Sequence, residues 1–285
     1  MTGLLAHLFS TLAGVRLVPA RGRAALSVVD LTISDLPVSF EGYRIVVLAD
    51  LHHRARRDLT WLRHTVDVVN TTAPDLIALL GDYGESFKRA PTLSRRWYRH
   101  ALAELTPMLT RLRSGNGMVA VLGNHDYYAD SRDVRAWLSD IGADVLVNRV
   151  HYIARDGARL RIAGMDDVRE GRHDPLVGCD PTTREPTIVL SHNPDGILHL
   201  DPELRVDAVI AGHTHGGQIV VPGYGAVITM ARVCGRRSAS GWVRNSRTAL
   251  YVTRGLGEQL PLPLRFNCRR EVLVLRLTSG HQQPA

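Results

Sequence analysis

Residues 208–218 read Ala-Val-Ile-Ala-Gly-His-Thr-His-Gly-Gly-Gln, a short apolar run that stops at a glycine and two histidines. The run 208–211 has the length and composition of a buried β-strand, and His213 and His215 lie just beyond its end. In α/β proteins, ligand sites assemble at the carboxyl ends of strands. This stretch therefore predicts an α/β fold with imidazole groups at one edge of a sheet.

Four other apolar runs also end at residues that can bind a metal ion. Run 44–49 leads into Asp50-Leu51-His52, 76–80 into Gly81-Asp82, 118–122 into Gly123-Asn124-His125-Asp126, and 187–190 into Ser191-His192-Asn193. Each piece alone is common, because a histidine after a strand usually belongs to the core or the surface. All of them together, in this order, predict that the polar side chains converge.

Further strands are expected at 26–33, 160–163, 250–253 and 271–277, and helices at 59–70, 93–113 and 133–141. This alternation predicts central sheets covered by helices. The sequence shows no internal repeat and no low-complexity segment. We therefore expect one domain over residues 25–285.

The composition is that of an ordinary globular protein. The chain has 285 residues, of which 45% are hydrophobic and 22% charged, and this excludes extended disorder. No apolar run reaches the roughly 18 residues of a transmembrane helix. Three widely spaced cysteines (Cys179, Cys234 and Cys268) fit neither a disulfide framework nor a paired-cysteine zinc site, so a reducing compartment is favoured.

The formal net charge is +7, but Lys88 is the only lysine and the arginines are scattered. This pattern indicates a solvated surface, with a basic rim that attracts an anionic substrate as the alternative. Aromatic residues make up 6% of the chain and outline no base-stacking groove. A nucleic-acid partner is therefore not expected.

Residues 1–24 are predicted to be an amphipathic segment separate from the domain. Leu5, Leu8, Leu12 and Val15 recur at helical spacing, and arginines follow. Three interpretations stay open: a helix packed on the domain, a helix on a membrane surface, or a weak signal peptide. We expect a cytoplasmic protein, with peripheral contact at the inner face of the membrane through residues 1–24 as the alternative.

The candidate ligands have a common chemistry. They are carboxylates, imidazoles and one amide, which suit Mn²⁺, Fe²⁺ or Zn²⁺, whereas the absence of thiolates disfavours a structural zinc site. The seven candidates are too many for one ion and suit two: Asp50, His52, Asp82, Asn124, His192, His213 and His215. The sequence therefore predicts two divalent metal ions, with manganese favoured.

These blocks, in this order, resemble the five signature motifs of the calcineurin-like metallophosphoesterases. The resemblance spans residues 26–277. Residues 212–218, and Leu-Tyr-Val-Thr-Arg-Gly-Leu-Gly at 250–257, are similar to a bacterial branch with membrane- or cell-wall-associated phosphoesterases and UDP-2,3-diacylglucosamine pyrophosphatases. The resemblance implies an α/β fold of four layers, in which two mixed β-sheets pack face to face and are flanked by helices.

The resemblance also implies how the two metals are held. One would take Asp50, His52, Asp82 and His215; the other would take Asp82, Asn124, His192 and His213, with Asp82 as the bridge. His125 would act on the substrate. Where the family usually has a further aspartate, this sequence has Glu85, at a position that supports the site.

Three more carboxylates are candidates for supporting roles. Asp126 is assigned to the catalytic apparatus because it could fix the tautomer of His125, with capping of a turn as the alternative. Asp166 and Asp167 resemble a family Gly-x-Asp-Asp block and are expected either to support the ligands or to form an ordinary loop.

The leading hypothesis is a two-metal phosphoester hydrolase, either a phosphodiesterase or a pyrophosphatase. A hydroxide between the metals would attack phosphorus, while His125 stabilises the developing charge and protonates the departing oxygen. The substrate would be a small phosphoester or one linked to a lipid or a nucleotide. The alternatives are a non-catalytic metal-binding scaffold of the same fold and a cyclic-nucleotide phosphodiesterase. The presence of His125 beside the full ligand set favours an enzyme.

Overall fold

The structure is a computed structural model that describes residues 23–54, 59–243, 248–261 and 263–280. Most of the predicted N-terminal segment 1–24 therefore lies outside the described residues. The strands are β1 (Ala25–Ile33), β2 (Arg44–Leu48), β3 (Leu76–Leu79), β4 (Met118–Ala120), β5 (Ala143–Val145), β6 (Arg149–Arg155), β7 (Ala158–Gly164), β8 (Thr187–Ser191), β9 (Ala208–Ala211), β10 (Val220–Val221), β11 (Gly225–Ala226), β12 (Gly241–Trp242), β13 (Ala249–Val252) and β14 (Glu271–Ser279). The α-helices are α1 (Thr60–Thr71), α2 (Pro91–Leu109), α3 (Asn124–Ala129) and α4 (Ser131–Asp140). Short 3₁₀ turns lie at Val38–Phe40, Pro194–His199 and His215–Gly217.

Two six-stranded sheets form the centre of the protein. The first has the order β1-β14-β2-β3-β4-β5 and the second β12-β13-β9-β8-β7-β6. Both are mixed, because β14 runs antiparallel to β2 in the first, and β6 and β12 run antiparallel to their neighbours in the second. Strands β2, β3 and β4 are parallel, as are β7, β8 and β9. Their carboxyl ends therefore lie at a common edge within each sheet.

The main core lies between the two sheets. Ile45 and Val47 of the first sheet belong to the same buried cluster as Ile188 and Ile210 of the second. Val46, between the first two, points to the other face and packs with residues of the helices. This alternation follows from the two-residue period of a strand, so β2 is apolar on both faces and is buried on both.

The outer faces of the two sheets are covered differently. Helices α1, α2 and α4 cover the first sheet through apolar stripes that include Leu62, Leu105 and Leu138. The outer face of the second sheet packs with loop residues, among them Val177 and Leu204, and with the 3₁₀ turn at Pro194–His199. The two sheets packed face to face, with helices on the outer face of the first, confirm the predicted α/β fold.

Most predicted elements are confirmed, with shifts of a few residues at their ends. Helix α2 begins at Pro91, where a proline suits the first turn, and not at residue 93. Strand β4 ends at Ala120, two residues before the predicted end. Strand β6 was not predicted, because its sequence Arg-Val-His-Tyr-Ile-Ala-Arg is polar in the manner of an edge strand.

Two other expectations concern cysteines and membrane spans. Cys179, Cys234 and Cys268 are buried free thiols. Within the described ranges, no helix is long and apolar enough to cross a membrane.

Candidate metal centre

The polar residues that follow five strands meet at one edge of the two sheets. Asp50 and His52 follow β2, Asp82 follows β3, Asn124 and His125 open α3 after β4, His192 follows β8, and His213 and His215 follow β9. None of these residues is more than 6% exposed. The first sheet supplies both carboxylates and the amide, and the second sheet supplies three of the imidazoles.

Asp50, His52 and His215 form one group of closely spaced donor atoms. One ligand atom from each lies within 4.8 Å of the others. His215 Nε2 is 3.7 Å from Asp50 Oδ1, and the rings of His52 and His215 are 4.7 Å apart. The backbone N–H of His213 donates to the same Asp50 carboxylate at 3.1 Å, which fixes it across the two sheets.

Asp82, His192 and His213 form a second group of the same kind. His192 Nε2 lies 3.2 Å from Asp82 Oδ2 and 3.1 Å from His213 Nδ1. Its other ring nitrogen donates to the carbonyl of Leu80 at 2.7 Å, which orients the imidazole. Asp82 Oδ2 is also 3.3 Å from His52 Nε2. One carboxylate oxygen therefore lies between the two groups.

Asn124 and His125 reach the centre from the start of α3. The backbone N–H of His125 donates to Asp82 Oδ1 at 2.9 Å. The His125 ring stacks edge-on against His52 at 4.7 Å between ring centres. Asn124 precedes it and is buried. The first turn of this short helix thus brings both side chains beside Asp82.

Several polar atoms of the centre are buried and have no hydrogen-bond partner among the residues that the structure describes. These include Asn124 Oδ1, His213 Nε2 and His215 Nδ1. An unpaired buried acceptor or donor is costly, and nearly all such atoms in proteins find a partner. Amide oxygens and imidazole nitrogens are ligands for borderline divalent cations, so these atoms fit such ions. The residues present therefore suit a divalent metal centre.

The charges of the centre point to the same conclusion. Burial raises the pKa of Asp50 to about 6. Burial opposes ionisation of Asp82 as well, but the charges of His192 and His125 outweigh it and hold the pKa of Asp82 well below its usual range. Although burial works against it, contacts with Asp82 and Glu85 raise the pKa of His52 to about 10. The surroundings of Asp82 therefore attract positive charge, and metal ions displace protons from such imidazoles.

The pKa values of two other imidazoles, His213 and His215, are shifted downward. Burial, together with the neighbouring His192, holds the pKa of His213 well below its usual range. Burial and His52 do the same to the pKa of His215. Neutral imidazoles keep the nitrogen lone pair that a metal needs.

The backbone at these positions is unusual. Asp50, His52, Asp82, His213 and His215 all have positive φ, between 40° and 68°. Residues with side chains seldom adopt this left-handed conformation, and such residues cluster at functional sites. Each strand thus ends in a sharp turn that aims its polar side chain into the centre.

Two glycines let the chain pass close to the carboxylates. A Cβ atom at Gly212 would lie 2.7 Å from Asp50 Oδ2, and one at Gly123 would collide with Asp82 Oδ1. Only glycine leaves room for such a close approach. The carboxylates are therefore held by backbone on one side and face the imidazoles on the other.

Asp126 does not have the partners expected of a group that orients His125. Its carboxylate accepts hydrogen bonds from the backbone N–H groups of Gly123 at 2.6 Å and Asp82 at 3.0 Å, and from the hydroxyl of Tyr98. It therefore caps the start of α3 and pins the turn after β3, as in the capping alternative. These contacts are those of the capping alternative, and the assignment of Asp126 to the catalytic apparatus stays a prediction.

Glu85 is the carboxylate beside His125. Its Oε1 lies 3.3 Å from His125 Nδ1, and its Oε2 lies 3.6 Å from His52 Nδ1. Burial opposes ionisation here, but the hydrogen bond and charge of His52 lower the pKa of Glu85, which is therefore ionised at neutral pH. The Glu85 side chain therefore reaches both imidazole rings.

One neighbour of His125 was missed from the sequence. Gln259 Nε2 lies 3.2 Å from His125 Nε2, and the backbone N–H of Gln259 donates to the side chain of Gln218 at 2.7 Å. Because 134 residues separate Gln259 from His125, no local pattern could reveal the contact.

Asp166 and Asp167 hold the loop after β7. Asp166 accepts from the Tyr127 hydroxyl and from the backbone N–H of Arg172, the latter at 2.8 Å. Asp167 Oδ1 accepts the N–H groups of Arg169 and Glu170 at 3.0 and 2.8 Å. Both aspartates therefore brace the loop that flanks the centre.

Comparison with known proteins identifies the family. Residues 43–217 match the calcineurin-like phosphoesterase family. This span includes every residue of the centre named above as a candidate ligand. The chain belongs to this family and is a metal-dependent phosphoester hydrolase.

Individual relatives are also named as metallophosphoesterases or phosphodiesterases. YkuE of Bacillus subtilis, named an uncharacterized metallophosphoesterase, is 32% identical over 247 residues, covering 86% of this chain and 82% of that protein. The phosphodiesterase YaeI of Escherichia coli is 30% identical over 240 residues, covering 82% of each chain. A transmembrane protein with a metallophosphoesterase domain from Danio rerio is 31% identical over 262 residues, and the match spans 86% of this chain but 55% of that longer protein.

Proposed function

We propose that the protein is a phosphodiesterase that works with two divalent metal ions, manganese being favoured. One ion would be held by Asp50, His52, Asp82 and His215. The other would be held by Asp82, Asn124, His192 and His213. The observation that carries this proposal is the place of Asp82 Oδ2, 3.3 Å from His52 Nε2 and 3.2 Å from His192 Nε2. A carboxylate in that place can serve both ions.

When bound, two such ions would polarise the phosphoryl oxygens and make water a better nucleophile. The chain itself supplies His125, which lies beside Asp82 and is only slightly exposed. A positioned imidazole can stabilise the developing charge and deliver a proton to the departing oxygen. Glu85 Oε1 and Gln259 Nε2 contact its two ring nitrogens and hold the ring in place.

Diesters are favoured over monoesters because one named relative is a phosphodiesterase. We further propose a lipid-linked substrate and contact of residues 1–24 with the inner face of the membrane. The Leu5, Leu8, Leu12 and Val15 stripe, followed by Arg16, Arg21 and Arg23, supports membrane-surface binding.

The test is metal analysis of the purified full-length protein, followed by a panel of substrates. We expect close to two equivalents of divalent metal per chain after loading with Mn²⁺, and hydrolysis of aryl phosphodiesters that stops on chelation and returns with Mn²⁺. Full metal loading without hydrolysis of any phosphoester would instead identify a metal-binding scaffold.

A further inference from the structure

A cavity of about 570 Å³ adjoins the metal centre on its helical side. It lies between α2 and the loops that follow β2 and β3, and Leu260 lines it from the C-terminal part of the chain. Its volume is within the range of small-molecule sites, roughly 300–1,000 Å³. None of the proposed metal ligands lines this cavity.

Glu85 belongs to both the cavity and the metal centre. Its carboxylate lines the cavity and also lies 3.3 Å from His125 Nδ1. The backbone N–H of Leu260 approaches the same carboxylate at 3.4 Å. Leu260 follows Gln259, which contacts the other nitrogen of His125. A group in the cavity would therefore be next to any phosphoryl group that His125 contacts.

The cavity has a large apolar surface that is open to solvent. Phe87, Trp97 and Leu260 form this apolar part, and 49% of the Trp97 surface is exposed. The remaining lining residues are polar or charged: His53, Arg54, Glu85, Arg96, His100 and Glu104. Trp97 lies on the helix α2, whose neighbours Tyr98 and Ser94 are buried. An exposed indole beside a catalytic centre is typical of a ligand-binding surface.

The walls of the cavity are held in place by hydrogen bonds. The backbone N–H of Phe87 donates to Ser94 Oγ at 2.7 Å, and this hydroxyl donates to the carbonyl of Phe87 at 3.1 Å. Farther along α2, Glu104 Oε2 lies 2.7 Å from His53 Nε2. The loops on both sides are thus tied to α2, and the cavity is formed before a ligand arrives.

We propose that this cavity binds an apolar ester arm of the substrate, the arm that stays on phosphorus, and that Trp97 is a specificity-determining residue. The inference rests on the proposed phosphodiesterase function. In the reaction, the oxygen of water forms a bond to phosphorus and the bond from phosphorus to the departing oxygen breaks. The departing oxygen takes up a proton, and the product is a monoester that still has its apolar arm.

The experiment uses the full-length, Mn²⁺-loaded protein and methyl, butyl and octyl 4-nitrophenyl phosphates. The leaving group is identical throughout, so any difference comes from the retained arm. Each buried methylene is worth about 0.8 kcal/mol, or roughly a fourfold change. We expect kcat/KM to rise by more than about tenfold from the methyl to the butyl ester in the wild-type protein.

Variants of cavity residues test whether the effect of arm length on kcat/KM depends on the cavity. Trp97→Ala and Phe87→Ala should reduce this rise to less than about threefold. Trp97→Phe should keep most of the rise. The matched control is Tyr152→Ala, which removes an aromatic residue of similar exposure, 46%, from strand β6 of the other sheet; it should leave the rise unchanged.

A binding measurement tests the same preference without turnover. Calorimetric titration should give at least tenfold tighter binding of octylphosphonate than of methylphosphonate, and Trp97→Ala should abolish the difference. A wild-type rate that is independent of arm length, or a rise that persists in both alanine variants, would overturn the inference while leaving the phosphodiesterase intact. Absence of hydrolysis of all three esters by metal-loaded protein would overturn the proposed function and the inference with it.

Discussion

The metal centre and the cavity share the Glu85 side chain but differ in burial and in the apolar residues that line only the cavity. In the centre, Asp50 and His192 are completely buried, and their neighbours are charged or polar. In the cavity, Trp97 is 49% exposed and its neighbours Phe87 and Leu260 are apolar. Buried charges in fixed positions determine whether a reaction proceeds, whereas a half-open apolar wall determines which molecules undergo it.

The largest effect is expected from Asp82→Asn. The change removes a negative charge that lies between both groups of imidazoles, so it should weaken both metal sites at once. We expect metal content to fall below one equivalent per chain and turnover of every ester to fall more than about 10³-fold.

Elemental analysis after Mn²⁺ loading is the measurement, with Asp144→Asn as the control. Asp144 is a surface carboxylate that contacts Arg149 and His151. Asp82→Asn protein that keeps two equivalents would contradict the bridging role.

The next largest effect is expected from His125→Ala. Because His125 is proposed to act on the substrate, the variant should keep both metals and lose roughly 10²–10⁴ in kcat. The loss should be smaller for nitrophenyl esters than for esters of alkyl alcohols, since nitrophenolate departs without a proton. Metal analysis and the two ester types distinguish the outcomes; loss of a metal would show that His125 is a ligand.

Asp126→Asn should chiefly affect folding. The amide keeps the size of the side chain but has one acceptor oxygen for donors that include Gly123 N–H, Asp82 N–H and the Tyr98 hydroxyl. Leaving buried donors unpaired costs about 1–3 kcal/mol each, so we expect the free energy of unfolding in urea to fall by about 2–4 kcal/mol. At temperatures where the variant is folded, its kcat should fall less than that of His125→Ala. A larger kcat loss with unchanged stability would support the assignment of Asp126 to the catalytic apparatus.

The smallest effect on hydrolysis is expected from deletion of residues 1–24. The proposed ligands begin at Asp50, and β1 begins at Ala25. We therefore expect a folded, metal-loaded protein whose kcat/KM for methyl 4-nitrophenyl phosphate is within about twofold of the intact chain. Sedimentation with anionic vesicles should fall, because the apolar stripe and its arginines are removed. Aggregation of the truncated protein, with no vesicle binding by the intact one, would indicate a helix packed on the domain.

The difference between the two regions also explains what the sequence could predict. His213 and His215 follow β9 directly, and Asp82 follows β3 in the same way, so each could be recognised from a few consecutive residues. Because the carboxyl ends of parallel strands lie at one edge of a sheet, these residues could also be predicted to lie close together. Gln259 could not be found in this way, because it reaches His125 from a loop 134 residues away along the chain.

The cavity escaped prediction for a related reason. The sequence does not show that Phe87 and Leu260 lie beside Trp97 in one cavity, because they belong to separate loops. Edge strand β6 was missed because its sequence is polar, although it forms a hairpin with β7 across the two-residue turn at Asp156 and Gly157. Short-range order could be predicted from composition and spacing; contacts between loops depend on the whole packed chain.

The left-handed backbone at Asp50, His52, Asp82, His213 and His215 has a consequence for evolution. Each such residue opposes folding by an amount of order 1 kcal/mol, which a glycine would avoid. Substitutions to glycine at these positions would stabilise the fold. Only selection for catalysis therefore keeps the present side chains. A lineage released from that selection should drift toward glycine or asparagine at these positions first, and its proteins should become inactive while keeping the fold.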